Sequence, residues 1–210
     1  MEVILVNGSP NAQGSTWTAL NEVASTLNKE GIQTRIFQVG TQPLSGCIAC
    51  LKCRDTGRCV FPDKVNEFLD LAENADGFIF GAPVHFSAIS GSMSCFMHRA
   101  FFATIVHGSD TFYLKPAAAV VATRRAGATS ALDQINKYFT IAEMMTIGSK
   151  YWNMVFGMVA KDVPQDLEGM QTMRVLARNM AWFLRCKEAA AKAGVALPER
   201  EKRISTNFIR

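Results

Sequence analysis

Four cysteines lie close together in the run GCIACLKCRDTGRC, as Cys47, Cys50, Cys53 and Cys59. Thiolates are the side chains that bind iron-sulfur clusters and zinc most readily. The spacing C-x2-C-x2-C-x5-C is close to that of ferredoxin-type loops, where one loop wraps three corners of the cluster and a slightly more distant cysteine completes it. The cysteine run therefore predicts a 4Fe-4S cluster with these four side chains as ligands.

Other uses of the four cysteines stay open at this point. Structural zinc prefers two C-x2-C pairs separated by a longer spacer, whereas residues 47–53 hold three cysteines in seven consecutive positions. A zinc site, free thiols along an active-site loop and a redox-active pair such as Cys47 with Cys50 are the alternatives. Cys95 and Cys186 stand apart in apolar helical contexts, which predicts buried packing roles for both.

A second group of chemically capable residues is the loop NGSPNAQGST, residues 7–16, directly after an apolar run. Its hydroxyls and backbone N-H groups, at the start of a predicted helix, favour binding of an anion. The loop contains no lysine and does not match G-x-G-x-x-G, so it is neither a P-loop nor a dinucleotide fingerprint. A monophosphate such as that of FMN fits it better, and an ordinary turn with Ser15 as helix cap is the alternative.

Two later loops follow predicted strands in the same way. Residues 81–87, GAPVHFS, combine a turn-forming proline with an aromatic pair suited to the edge of a flat ring. Residues 123–128, TRRAGA, offer small side chains that admit a ligand's polar edge, and arginines that could favour a reduced, anionic flavin. Because ligands of parallel sheets bind at the carboxyl ends of the strands, we expect the three loops to form one pocket.

These loops must be positioned by alternating strands and helices. The apolar periodicity predicts strands at 2–7, 33–39, 76–84 and 116–123 and a fifth within 146–157, with helices at 16–30 (Ser15 as its cap), 62–75, 91–106, 130–145 and 165–193. This alternation predicts an α/β fold: a doubly wound five-stranded parallel sheet of order 2-1-3-4-5 with helices on both faces.

Length and composition indicate a single-domain protein that neither binds nucleic acid nor spans a membrane. With 210 residues, 49% of them hydrophobic, we expect one domain over 1–195, a cysteine-rich loop at 46–61 and a tail at 196–210. The net charge of +4 comes from scattered lysines and arginines, so a nucleic-acid surface is not expected. No window has membrane-spanning length and no signal peptide is visible, which predicts a cytoplasmic protein with reduced thiols.

The combined loops resemble a known family. NGSPNAQGST, GAPVHFSAISGSM and ATRRAG with its LDQINKYF helix are similar to the NAD(P)H-dependent FMN reductase branch of the flavodoxin-like superfamily. The cysteine run is similar to that of the iron-sulfur flavoproteins of the same branch. The resemblance covers roughly residues 1 to 160 and is specific in the combination of the loops, because each motif alone would be weak.

The resemblance implies roles for the loop residues in binding FMN. Ser9, Asn11, Ser15 and Thr16, with Gly14 in the same loop, would hold the phosphate. Pro83, Val84, His85 and Phe86 would border the ribityl chain and the ring, and Thr123, Arg124, Arg125, Ala126 and Gly127 would meet the pyrimidine edge. Members of the family work as homodimers or homotetramers in which a neighbouring subunit helps to cover the flavin, so the tail could be an exchanged arm.

Three functions follow as hypotheses. The first is an enzyme in which NAD(P)H reduces bound FMN, which then reduces a small acceptor such as a quinone or free flavin; no residue must act as acid or base. The second is an iron-sulfur flavoprotein that exchanges electrons between a ferredoxin, a 4Fe-4S cluster and FMN. The third is a binding module that has kept the fold without a flavin.

Overall fold

The computed structural model describes residues 1–201, 204, 206 and 208. The strands are β1 (Glu2–Asn7), β2 (Gln33–Gln38), β3 (Gly77–His85), β4 (Ala88–Ile89), β5 (Pro116–Thr123), β6 (Met145–Thr146) and β7 (Met154–Phe156). The helices are α1 (Ser15–Lys29), α2 (Cys53–Thr56), α3 (Lys64–Ala72), α4 (Gly91–His107), α5 (Ala128–Ile141) and α6 (Leu167–Lys192), with a 3-10 turn at Val163–Gln165.

The sheet is parallel along its main path, in the order β2-β1-β3-β5-β6, with β7 beside β5 and β4 beside β3. Since β4 only extends β3 as a hairpin, β5 is the fourth main strand, and the predicted order 2-1-3-4-5 is confirmed. The order reverses between β1 and β3, whose carboxyl ends are joined in register at Asn7 and Gly81. The loops after these strands therefore begin at the switch point, where such sheets bind ligands.

Helices cover both faces of the sheet, because successive residues of a strand point to opposite sides. Ile4, Phe78 and Phe80 pack with α3, α4 and α5 in an aromatic-rich core. Val3, Leu5 and Ile79 pack with α1 and α6 in a second core on the other face. Burial on both faces explains why β1 and β5 are continuous apolar runs.

The predicted fifth strand is divided in two. β6 pairs with the start of β5 at Pro116, and β7 pairs with its end at Val121 to Thr123, with residues 147–153 between them. The helix predicted over 130–145 runs instead from Ala128 to Ile141. It ends early because Glu143 adopts a left-handed backbone, with φ of 57°.

Three further expectations needed correction. Ser15 is the first residue of α1 and not its cap, since Gly14 holds that position without a side-chain hydrogen bond. The loop predicted after the third strand is largely strand, because β3 continues to His85 and turns back through Phe86 and Ser87 into β4. Cys186 is exposed rather than buried, while Cys95 is half-buried.

Within the described residues, no helix is both long and apolar enough to cross a membrane. The start of the predicted tail has no helix or strand, and Arg200 forms ion pairs with Asp110 and Glu143. The rest of the predicted exchanged arm, residues 202, 203, 205, 207, 209 and 210, lies outside the described part of the chain.

Candidate functional site

A cavity of about 310 Å³ opens at the carboxyl ends of β1, β3, β5 and β7, within the size range of small-molecule sites. Most residues predicted to bind a cofactor line it: Ser9, Asn11, Gly14, Ser15, Thr16, Pro83, Val84, His85, Thr123 and Arg124. Phe86, Arg125, Ala126 and Gly127 lie outside this lining, in the same loops. Three loops separated in sequence thus meet at one place.

The loop after β1 is shaped by short polar side chains. The Ser9 N-H donates to Asn7 Oδ1 and the Asn11 N-H to Ser9 Oγ, each at 3.1 Å. Gln38 of β2 holds the same loop, because its Nε2 donates to the Ser9 carbonyl at 2.7 Å. The chain then enters α1 without a side-chain cap, which leaves the first N-H groups of the helix available to a ligand. Such an N-terminus attracts an anion.

The loop after β3 is a tight two-residue hairpin. Phe86 and Ser87 form its tip with φ of 50° and 62°, values that non-glycine residues rarely adopt. Pro83, Val84 and His85 therefore face the cavity from the strand, whereas the Phe86 side chain is fully exposed.

The loop after β5 packs against this hairpin. Thr123 Oγ1 donates to the Ala126 carbonyl at 3.1 Å, which closes the turn that contains Arg124. Gly127 has φ of 87°, and a Cβ there would stand 2.7 Å from the Ser87 Cα. A glycine is required because the backbone of one loop touches the backbone of the other.

A fourth loop, after β7, completes the cavity and was not predicted. Its residues Gly157, Met158, Val159 and Ala160 are part of the lining. The Gly157 N-H donates to the Thr123 carbonyl at 2.9 Å, and Asp162 Oδ2 accepts from the N-H groups of Met158 and Val159. The sequence signal was available, since a glycine follows MVF as it follows VN and FIF. It was missed because the fifth strand was predicted only as lying within 146–157, so the loop after it had no defined start.

The charge of the cavity favours a negatively charged ligand. Among its lining residues in the described chain, Arg124 is positive and none is Asp or Glu. The hydroxyl residues Ser9, Thr16 and Thr123 are nearly buried. The hydroxyls, the uncapped helix and the absence of lysine fit the phosphate of FMN, as the donor chemistry of the loop predicted.

The four cysteines line a second cavity, narrow and open at the surface. Cys47 and Cys50 are exposed, Cys59 is half-buried and Cys53 is buried. Burial raises the pKa of Cys53, and the neighbouring thiolates raise it further, against a lowering backbone hydrogen bond. A metal bound here must therefore displace protons. In the described chain, no three Cys, His, Asp or Glu side chains are close enough together to hold a single metal ion.

The backbone of the cysteine loop is strained at two positions. Ala49 and Leu51, on either side of Cys50, have φ of 53° and 57°. The Ala49 N-H points at Cys47 Sγ, 3.4 Å away. Left-handed residues of this kind turn N-H groups toward one point, an arrangement found at iron-sulfur and phosphate sites. The four thiols and this turn fit a cluster in which each iron takes one thiolate.

Asn66 of α3 fixes the backbone of Cys59. Its Oδ1 accepts from the Cys59 N-H, and its Nδ2 donates to the Cys59 carbonyl, both at 2.8 Å. Cys59 is thereby brought into the same cavity as the three cysteines of the compact run.

Comparison with known proteins identifies the family. Residues 1–158 match the sequence model of the family described as NADPH-dependent FMN reductase. The chain belongs to this family. As a member of the NADPH-dependent FMN reductase family, which binds FMN, it is an oxidoreductase.

Curated relatives of this family member are named iron-sulfur flavoproteins, a narrower description than that of the family. An iron-sulfur flavoprotein of Methanocaldococcus jannaschii is 31% identical over 190 residues, covering 86% of this chain and 96% of the relative. An iron-sulfur flavoprotein of Methanosarcina thermophila is 24% identical over 185 residues, covering 86% and 93%.

Solved structures support the flavodoxin-like fold. RosB with bound 8-demethyl-8-formylriboflavin-5'-phosphate has a TM-score of 0.66 at 14% identity, covering 100% of this chain and 92% of RosB. FerB, an NAD(P)H:acceptor oxidoreductase from Paracoccus denitrificans, has a TM-score of 0.64 at 14% identity, covering 88% and 97%. A flavodoxin from the domain Archaea scores 0.60 at 13% identity, covering 88% and 99%.

Proposed function

We propose that this chain is an electron-transfer flavoprotein that holds FMN at the strand ends and a 4Fe-4S cluster at Cys47, Cys50, Cys53 and Cys59, and that electrons pass between the two. The observation that carries the proposal is the meeting of all four cysteines at one cavity, although Cys59 is six positions beyond Cys53. The name shared by the curated relatives supports it.

At the first site, the chain supplies binding and orientation. Ser9, Ser15 and Thr16, with the first N-H groups of α1, would hold the phosphate. Pro83, Val84 and His85 would border the ring on one side, and Thr123 with Arg124 would meet its polar edge. Residues 157–160 extend the predicted set as a further wall. FMN supplies the hydride and single-electron chemistry itself.

The outer residues of these loops have a different proposed role. Phe86, Arg125, Ala126 and Gly127 lie beside the cavity rather than in its lining. We propose that Gly127 shapes the loop and that exposed Phe86 borders the approach of a second reactant to the ring edge.

Helix α4 connects the two sites. Ser90, just before α4, donates its hydroxyl to the Gly8 carbonyl at 2.9 Å, in the loop of the first cavity. Arg99, Phe102 and Ala103 of the same helix line the cysteine cavity. From Ser90 to Arg99 the helix rises by roughly 14 Å. Both sites therefore lie on one rigid element, which suits electron exchange within a subunit or with a neighbouring one.

A second candidate function is reduction of a small acceptor, such as a quinone or free flavin, at the expense of NAD(P)H. The description of the matched family favours it. The partly exposed cavity wall also leaves room for a second reactant, since Met158 is 70% exposed. The two candidates differ in the electron donor, which is a nicotinamide in one case and a reduced ferredoxin in the other.

Anaerobic reduction of the bound flavin distinguishes the candidates. We expect reduced ferredoxin to bleach the flavin absorbance of the wild-type protein quickly, and Cys53→Ser to abolish this reaction. Cys186→Ser is the matched control, because Cys186 is an exposed cysteine outside the group, and it should behave as wild type. Rapid bleaching by NADPH or NADH, equal in Cys53→Ser and wild type, with none by ferredoxin, would contradict the carrier and support the reductase.

We further propose that residues 1–195 form one domain and that the protein is a cytoplasmic homodimer or homotetramer. The tail from residue 196 would then be an arm that contacts a neighbouring subunit. Arg200 stacks on Tyr113 of its own chain, so an exchanged segment would begin after this anchor. Sedimentation of the full chain and of a chain ending at residue 201 tests the arm, since loss of the oligomer in the shorter chain is expected.

A further inference from the structure

Arg99 is a buried cation in the wall of the cysteine cavity, and neither site described above uses its charge. It lies in the middle of α4 and is only 1% exposed. Its Nε donates to Cys59 Sγ at 3.1 Å. The guanidinium also lies over the ring of Phe61, 4.9 Å from the ring centre.

Asp63 holds the other end of the guanidinium. Its two carboxylate oxygens accept from Arg99 Nη1 and Nη2 at 2.7 and 2.9 Å, a bidentate pair. Asp63 also caps α3 by accepting from the Val65 N-H at 3.1 Å. The pair therefore fixes the direction of the Arg99 Nε-H, and that direction is toward the sulfur.

Burying a charge costs free energy of desolvation, so the contacts of a buried arginine indicate its role. The carboxylate of Asp63 satisfies both terminal nitrogens, and the carbonyls of Ser45 and Phe61 lie 3.4 Å from them. The Nε-H is the one donor left, and it donates to the thiol of Cys59. A thiol is a weak hydrogen-bond acceptor when protonated and a strong one when ionised. An apolar residue would fill the same space at lower cost if packing were the only role.

We infer that Arg99 is a positioning residue for the cluster: its Nε-H holds the Cys59 thiolate as a ligand and raises the reduction potential of the iron bound to it. This rests on the proposed function, because it requires a cluster at the four cysteines. Reduction adds one electron, taken from the FMN or a chemical reductant, and forms or breaks no bond. The added negative charge strengthens the hydrogen bond from Arg99, which favours the reduced state.

The geometry gives opposite expectations for the two partners. Arg99→Lys keeps the charge, but one ammonium cannot bond both carboxylate oxygens and the sulfur, so the potential should fall. Asp63→Asn keeps an oxygen to cap α3 and removes the negative charge beside the guanidinium, so the potential should rise. The fall in Arg99→Lys is the decisive result, because this substitution keeps the charge and changes the hydrogen bond to the sulfur, whereas loss of a negative charge at Asp63 raises the potential by itself.

The experiment is a redox titration of the full-length protein, purified anaerobically, followed by the electron paramagnetic resonance of the reduced cluster. For Arg99→Lys we expect the ratio of reduced to oxidised cluster at a fixed potential to fall about tenfold, about 59 mV for one electron. Arg58→Lys is the matched control: Arg58 precedes Cys59 and pairs with Asp70 and Glu73 instead of a cysteine. It should leave the potential unchanged.

Iron and sulfide content separates failure of this inference from failure of the proposed function. A wild-type protein without iron and sulfide contradicts the cluster itself. A wild-type cluster whose potential is unchanged in Arg99→Lys and Asp63→Asn overturns the role of Arg99 alone. If Arg99→Lys loses its iron while Arg58→Lys keeps it, the role of Arg99 in holding Cys59 as a ligand is supported.

Discussion

Thr16 is the most buried of the hydroxyl-bearing residues that line the cavity at the strand ends. It is 1% exposed, compared with 6% for Ser9 and 5% for Thr123. It also belongs to the first turn of α1, where the N-H groups have no side-chain cap. A hydroxyl and several N-H groups that converge at one point are the contacts that a phosphate needs.

Thr16→Val tests this contact without changing the shape of the side chain. We expect FMN to bind roughly 10- to 150-fold more weakly, since a hydrogen bond to a charged group contributes about 1.5–3 kcal/mol. Riboflavin, which lacks the phosphate, should bind Thr16→Val and wild type equally. Flavin fluorescence titrated with the flavin-free protein measures both affinities.

Thr26→Val is the control for this substitution, because Thr26 is a buried threonine on α1 whose hydroxyl donates to the Glu22 carbonyl. It should bind FMN as the wild type does. Equal losses for FMN and riboflavin in Thr16→Val would place the phosphate elsewhere.

The sequence indicated Cys59 and the loop hydroxyls, but it did not lead to Arg99. A signal existed, since Arg99 follows Phe96 by three positions and precedes Phe102 by three, inside an apolar helix. A lone charge on a buried helix face is rarely accidental. Its partner Asp63 is distant in sequence, and only the packing of α3 against α4 reveals the pair.

At the scale of elements, the hairpin and the loop after β5 must touch for the cavity to have its shape. Gly127 and the hairpin tip at Ser87 meet backbone to backbone. The tip itself is strained, with two successive left-handed residues. Strain of this kind persists where surrounding structure enforces it, and such places are often functional.

Gly127→Ala should therefore destabilise the protein and weaken FMN binding together. Gly31→Ala is the matched control, because Gly31 has a similar φ of 78° but nothing within 4 Å of its added Cβ. We expect Gly31→Ala to lower the free energy of unfolding by about 1–2 kcal/mol. Gly127→Ala should lose about 1–3 kcal/mol more from overlap with Ser87. Urea unfolding measures both, and equal losses would show that the contact is unimportant.

Periodicity predicted the main strands and helices, because buried strands and amphipathic helices leave clear patterns. Periodicity did not predict the shortest strands. β4, β6 and β7 have two or three residues each, and β6 and β7 are defined by pairing with β5, which no local pattern records. The wall at residues 157–160 was missed for the same reason.

At the scale of the whole molecule, Lys115 joins the start of β5 to the end of α3. Its Nζ donates to the carbonyls of Ala72 and Glu73, and it lies 5.7 Å from the centre of the Phe78 ring. Burial above all, and nearby Lys187, lower its pKa from 10.5 to about 8, while Asp76 and Glu73 act in the opposite direction.

This shift makes stability depend on pH in the alkaline range. The folded protein releases the Lys115 proton near pH 8, whereas the unfolded chain keeps it until about 10.5, so the unfolded state binds more protons between these values. The contribution of Lys115 to stability is therefore present above pH 10.5 and is lost as the pH falls through 8.

Lys115→Met should remove this contribution. We expect the unfolding temperature of the wild type to rise relative to that of Lys115→Met as the pH increases from 8 to 10.5. Thermal unfolding at a series of pH values measures it. A difference that stays constant over that range would mean that Lys115 has an ordinary pKa.

The most direct measurement for the proposed function is the iron, sulfide and FMN content of the full chain purified without oxygen, with its visible spectrum. We expect FMN together with about four irons and about four sulfides per chain. Cys53→Ser should lose the iron and sulfide but keep FMN. A yellow protein with FMN and neither iron nor sulfide, or with zinc in their place, would contradict the cluster and leave a flavin reductase.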